Sequence, residues 1–227
     1  MKAVVFDVKG TIAHFRKPDT TSTQLTYPFM TPTAIKGMVG AILGIEDFVT
    51  RDKVGLQLLS PVRTVAQQMP MLGKDGGSTF NRPTTIELVI DPAYRVFYVG
   101  DEFSEELDQF LQAGHAVYPP YLGSAYALTW PRIQSTYDQV EFFWSDKKVE
   151  TSTVVPSRII KELLLQEGHH YSRAGGFLHE YKGQRIFEKS IDFIYERNGR
   201  SVKFIPHQNI DENIKIARIG EEIVCLF

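Results

Sequence analysis

The chain opens with "MKAVVFDVKGTI", in which Val4, Phe6 and Val8 alternate with Ala3, Val5, Asp7 and Lys9. A period of two predicts a strand. The period changes in "PTAIKGMVGAILG", where Ile35, Met38, Val39, Ile42 and Leu43 recur every three or four residues. A helix is expected there, starting near Thr31-Pro32-Thr33 and stopping near Gly44. "VGLQLLSPVRTVAQQ" reads as a strand, and "RPTTIELVIDPAYRVFYVG" as two more that meet at an Asp91-Pro92 turn. In "SEELDQFLQAG" a serine cap and acids precede Leu107, Phe110 and Leu111 on one face, which predicts a second helix. "YLGSAYALTW" is expected to be the next strand, with Tyr126, Leu128 and Trp130 on its core face.

The order strand, helix, strand, strand, helix, strand is that of an α+β, ferredoxin-like unit, an arrangement RNA-recognition modules also use. Beyond Pro131 the pattern turns to short strands in "QVEFFWS", "KVETSTVV", "RIFEKSIDFIYE" and "SVKFIP", with a short helix in "SRIIKELLLQ". The chain is therefore read as a ferredoxin-like unit over residues 1–131 and a smaller, mostly β unit over 132–227.

Composition adds limits. The 227 residues are 43% hydrophobic and 23% charged, the balance of an ordinary folded protein. No apolar run is long enough for a bilayer and the N-terminus lacks a signal-like core, so a cytoplasmic protein without a membrane partner is expected. The single Cys225, in "EEIVCLF", excludes an internal disulfide and reads as a buried thiol. The net charge of −2 argues against indiscriminate nucleic-acid binding. Residues 1–100 nevertheless carry 11 Lys+Arg against 8 Asp+Glu, whereas the rest carry 14 against 19, so a polyanion site fits the first half better.

The chemistry concentrates in "RKPDTTSTQLTYPFMTPTAIKG". Arg16 and Lys17 are cations, and Thr20, Thr21, Ser22, Thr23 and Thr26 bring hydroxyl donors. Tyr27, Thr33 and Lys36 accompany a helix N-terminus whose amides and dipole favour anions. Together they can clamp a backbone phosphate; equally, the hydroxyls can simply cap turns of a solvated loop. Gly37, Gly40 and Gly44 form a small-residue ridge that either the sheet or a ligand backbone can approach. The loop "QQMPMLGKDGGSTFNRP" is no Walker motif, since Asp75 follows Lys74. It suits a projecting finger with Met69, Met71 and Phe80 as apolar wedges and Arg63, Lys74 and Arg82 as phosphate contacts. "HEYKG" at His179 has Gly183 where a zinc motif needs histidine, so neither a metal nor a cofactor is expected. His115 and Tyr27 remain as acid–base candidates for RNA cleavage, with capping the ordinary reading for His115.

"FRKPDTTSTQLTYPFMTPTAIKGMVGAILG", "RPTTIELVIDPAYRVFY" and "YPPYLGSAYAL" resemble, in order and spacing, the N-terminal hallmarks of the Cas-five family of CRISPR-associated proteins, most like its type I-B branch. The resemblance covers residues 1 to about 130. It implies a RAMP-superfamily subunit of Cascade that caps the complex and grips the 5′ handle of the crRNA, with "QQMPMLGKDGGSTFN", about residues 67–82, as a thumb. It implies as partners the backbone subunit, the large subunit and, through the complex, target DNA, which guide pairing reads. One branch of the family cuts repeat RNA with tyrosine, lysine and histidine; here His115 follows Gly114, not lysine, so a non-catalytic subunit is expected. A metal-independent endoribonuclease and a purely structural cap are the alternatives.

Overall fold

The computed structural model describes residues 1–20, 22–75, 77–207 and 213–227, and of Lys74 and Asp75 the backbone only. The first part runs β1 (Lys2–Lys9), β2 (Ile12–Ala13), β3 (Thr23–Gln24), α1 (Pro32–Leu43), β4 (Lys53–Leu58), β5 (Thr64–Asp75), β6 (Ser78–Ile90), β7 (Ala93–Gly100), α2 (Ser104–Gln112) and β8 (Arg132–Tyr137). The main sheet has the order β4-β7-β1-β8, all antiparallel, with both helices in the connections. That is the ferredoxin-like order.

β1 is apolar on both faces because both are covered. Val4, Phe6 and Val8 join Ile35, Val39 and Leu107 of the helices in one core, while Ala3 and Val5 meet Ala217, Ile219, Val224 and Leu226 in a second. Those last four come from β16 (Lys215–Ile219) and β17 (Glu222–Leu226), which pair with β9 (Glu141–Phe143) to back the main sheet as a further layer. Gly55 permits their close approach: a Cβ there would lie 2.6 Å from Val224 Cγ1. Cys225, on the other face of β17, is fully buried in the first core, and burial pushes its thiol up to about 12, so it packs as a small apolar group.

The remaining strands are β10 (Val149–Thr151), β11 (Val155–Pro156), β12 (Ile160–Leu164), β13 (Tyr171–Tyr181), β14 (Phe187–Glu196) and β15 (Val202–Pro206). They make two small sheets, β10-β15-β12 and β11-β14-β13.

Several sequence expectations change. "YLGSAYALTW" is not a strand. Gly123 takes a left-handed φ of 82° and the chain folds back, with the Leu122 amide donating to the Ala127 carbonyl at 2.8 Å. Leu122, Ala127 and Thr129 are buried, whereas the side chains of Tyr126, Leu128 and Trp130 stand about half exposed or more. The fourth strand of the sheet is instead β8, just beyond Pro131. "SRIIKELLLQ" is a 3-10 turn, Ser157–Ile159, followed by β12, because its apolar residues pair across to β15 rather than line one helix face. "VGLQLLSPVRTVAQQ" breaks at Ser60-Pro61 into β4 and β5, which belong to different sheets. Ser104 is the first residue of α2 and not its cap, and no side chain caps this helix; buried Asp52 instead fixes the turn that leads into it, accepting from the amides of Asp101, Glu102 and Phe103 at 3.0–3.2 Å.

The stretch expected to be a Gly-rich loop is strand from Met69 to Asp75 and again from Ser78: β5 and β6 form one hairpin in register from Thr64↔Val89 to Asp75↔Ser78. At its base β6 also pairs with β2 and β3, so the segment between those two short strands is strapped across the foot of the hairpin.

Candidate nucleic-acid interface

The segment from Phe15 to Tyr27 doubles back on itself. Arg16 and Thr26 form an antiparallel bridge, flanked by Lys17 N–H to Leu25 O at 2.9 Å and Tyr27 N–H to Phe15 O at 2.7 Å. Several hydroxyls counted as phosphate donors are consumed here. Thr26 Oγ1, buried, accepts from the Phe15 amide and donates to the Tyr27 carbonyl, each at 2.9 Å. Thr20 Oγ1 donates to the Lys17 carbonyl and accepts from the Leu25 amide. Thr23 pairs through its backbone with Thr85, Ser22 is exposed, and Thr21 lies outside the described residues.

"YPFM" is anchor, not ligand platform. Phe29 and Met30 are buried, and Phe177 stacks on Tyr27 at 4.3 Å and on Phe29 at 5.2 Å between ring centroids. Tyr27 Oη donates to the Gly176 carbonyl at 2.6 Å, tying this stretch to β13. Burial, with Asp19 nearby, raises the Tyr27 pKa, so it is unsuited to act as a base.

Thr31 caps α1, its Oγ1 accepting from the Ala34 amide at 3.0 Å. Pro32 occupies the first turn and Gly44 closes the helix at φ 77°. The helix start, Arg16 and the Gly123 turn enclose a cleft of about 410 Å3 that Thr31, Thr33, Gly37 and Tyr121 also border. No Asp or Glu lines it among the described residues. Arg16 is exposed, and among the described residues its Nη2 hydrogen-bonds the Thr20 carbonyl alone, at 3.4 Å.

The glycine ridge divides in its roles. A Cβ on Gly40 would lie 2.7 Å from Phe48 Cβ, and one on Gly44 would strike Val117, so both serve internal packing. A Cβ on Gly37 would meet nothing within 4 Å, and this residue borders both this cleft and a neighbouring one of about 270 Å3. Tyr121 and Gly123 were missed as site residues, because the period-two reading made their segment a core strand. The signal was the glycine: a Cβ at 123 would lie 2.3 Å from the His14 carbonyl oxygen.

Lys36 points elsewhere. It borders neighbouring clefts of about 270 and 670 Å3, both shared with His179 and Tyr181, and its Nζ donates to the Thr50 carbonyl at 3.3 Å. Burial, then Lys53, lowers its pKa to about 8. Lys17 does not border the Arg16 cleft; its Nζ lies 5.8 Å from the centre of the Tyr27 ring, and it borders another cleft on the far side of that tyrosine. His115 is exposed after α2, against Phe110 at 5.3 Å, and borders none of these clefts.

On the hairpin, Arg63 and Arg82 are exposed, and the Lys74 side chain lies outside the described residues. Met69 is half-buried; Met71 and Phe80 are 38% and 46% exposed. Phe80 folds across Gly73, whose added Cβ would lie 2.6 Å from the ring. Leu72, not singled out in the sequence, is the most exposed at 81%. Among the described residues no group of His, Cys, Asp and Glu could hold a metal ion, and no helix is long and apolar enough to cross a membrane.

Fold and site thus define an α+β protein with a ferredoxin-like sheet, a projecting hairpin and, at the start of α1, a cleft lined by no acid among the described residues. The sequence matches the family model described as CRISPR-associated protein (Cas_Cas5) over residues 3–124, and the chain belongs to that family. No curated protein matches it in sequence. Among solved structures it is similar to a CRISPR protein from Archaeoglobus fulgidus, at 12% identity and TM-score 0.58 over 99% of this chain and 98% of that one. It is also similar to a chain of a CRISPR RNA-guided surveillance complex, at 12% identity and TM-score 0.57 over 90% and 91%. A third, described as a Cas protein, shares 13% identity with TM-score 0.51 over 87% and 95%.

Proposed function

We propose that this chain is a non-catalytic RNA-binding subunit of a Cascade-type surveillance complex, holding the 5′ handle of the crRNA beside the subunits that form the complex's backbone and its large arm. The observation that carries this reading is the cleft at the start of α1: one exposed arginine, a helix N-terminus, an open glycine wall and no acid among the described residues. Single-stranded RNA supplies the matching phosphates and unpaired bases. The hairpin beside it is long enough, and exposed enough along its outer half, to intrude where handle gives way to guide.

Gly37→Glu tests this directly. Open space around Gly37 and the helical cost of glycine, about 1 kcal/mol against alanine, mean that the variant folds at least as stably as the parent. Its carboxylate would nonetheless sit in the cleft and abolish binding of handle RNA in a filter assay. Arg16→Ala should lower the slope of log K against log salt by about 0.7, one single-strand phosphate contact. Full binding by Gly37→Glu, with an unchanged slope for Arg16→Ala, would reject the reading.

A second reading, metal-independent cleavage of repeat RNA, draws on Lys36, whose lowered pKa of about 8 and neighbours His179 and Tyr181 are suited to proton transfer. Incubating the protein with repeat RNA in EDTA separates the two: specific cutting that Lys36→Met removes favours the enzyme.

A further inference from the structure

We propose that a second cleft, of about 310 Å3, bounded by Lys17, Arg173 and Arg197, seats another ribose-phosphate unit of single-stranded RNA, continuing the path beyond Arg16. This rests on the RNA-binding reading above.

The first argument is position. Arg16 and Lys17 are consecutive on a segment held extended by its pairing with Leu25–Tyr27, so their side chains leave on opposite sides. Arg16 borders the cleft at α1 and Lys17 the cleft at β13, while Tyr27 borders both. A strand crossing this narrow ridge therefore meets a cation on either flank.

The second argument is charge. Glu87 is the acid in the lining, and its Oε2 already accepts from the Thr26 amide at 3.1 Å. Arg173 gives one guanidinium nitrogen to Asp192 at 2.6 Å, and Asp192 also accepts from the Gly176 amide at 2.9 Å. The other Arg173 donors remain. Lys17 and Arg197 form no ion pair among the described residues, and Arg197 is exposed. Exposed Arg63 lies alongside, since the Val62 amide donates to the Arg197 carbonyl at 2.8 Å.

The third is shape. β13 bulges between Ala174 and Phe177, and Gly175 in that bulge lines the cleft, lowering its wall. The lining is mainly polar, unlike the apolar pocket into which a protein partner's anchor residue fits. An acidic peptide segment is the competing occupant.

The test uses the full chain, fluorescence anisotropy and two probes: a short labelled single-stranded RNA and labelled poly-glutamate. Arg197→Ala should bind RNA more weakly, with a salt slope lower by about 0.7, and Arg197→Lys should restore the slope. The Arg16→Ala/Arg197→Ala pair should lose about twice as much slope as either alone. Unchanged melting of each variant keeps folding out of the comparison. If Arg16→Ala lowers the slope and Arg197→Ala does not, the second seat is wrong and the handle reading stands; if neither does, both fall. Loss of poly-glutamate binding on Arg197→Ala with RNA binding intact would assign the cleft to an acidic protein and overturn the proposal.

Discussion

Lys36 holds its ammonium against the Thr50 carbonyl in a place where desolvation and Lys53 favour the neutral amine, bringing its pKa from the ordinary 10.5 to about 8. Between those values the unfolded chain binds the proton and the folded chain does not, so stability rises with pH across that window. Below about pH 8 the whole cost of burying the cation is present. Lys36→Met, of similar length, should therefore raise stability at pH 7 by about 2 kcal/mol, with the gain shrinking as pH climbs from about 8 to 10.5. Urea midpoints measured along that pH series check it, and a gain independent of pH would contradict the assignment. The same residue illustrates what a sequence hides: Thr33, Lys36 and Gly37 sit close in "PTAIKG", yet Thr33 and Gly37 border the Arg16 cleft while Lys36 borders only the clefts it shares with His179.

Among the elements, the β5–β6 hairpin differs most from its surroundings. Towards the tip, residues 70–72 and 78–83 are exposed, so the outer hairpin contributes register and reach rather than core. Replacing residues 67–82 with a short Gly-Ser link should change stability by less than about 0.5 kcal/mol, the scale of surface substitutions. Chemical probing of bound RNA at the handle boundary should change, and an identical pattern would remove the hairpin from the site. α2 makes the opposite point about elements. Its helical period is plain in the sequence, but Asp52, which holds the turn leading into it, stands some fifty positions away, and Gly100 is required beside that carboxylate because a Cβ there would collide with Asp52 Oδ1.

At the scale of the whole molecule, a chain of rings binds the first thirty residues to the last fifty. Tyr27 and Phe29 stack on Phe177, Phe29 meets Phe193 edge-on at 5.8 Å, and Phe193 meets the C-terminal Phe227 at 4.7 Å. The Tyr27 hydroxyl adds the bond to Gly176. Tyr27→Phe keeps the stacking and removes that bond, leaving a carbonyl with one partner fewer. A loss of about 1 kcal/mol is expected in denaturant melts. Because Tyr27 is the ridge between the two clefts, the variant should also weaken RNA binding, whereas a purely local effect would leave affinity unchanged.

The sequence by itself determined β1, α1, β7, α2 and the strand–helix order of the ferredoxin-like sheet, since period, the Thr31 cap and the Gly44 stop are local properties that each segment carries. It also singled out the residue 16–37 stretch, where cations, hydroxyls and a helix start are adjacent in the chain. Only the tertiary structure decided which of those groups remain available. Thr20 and Thr26 spend their hydroxyls on backbone, "YPFM" goes to the core, and Tyr121, Arg173 and Arg197 arrive from segments a hundred and more residues away. The physical reason is that a buried polar group must find a partner wherever the fold offers one, and a cleft exists only between segments that packing has brought together.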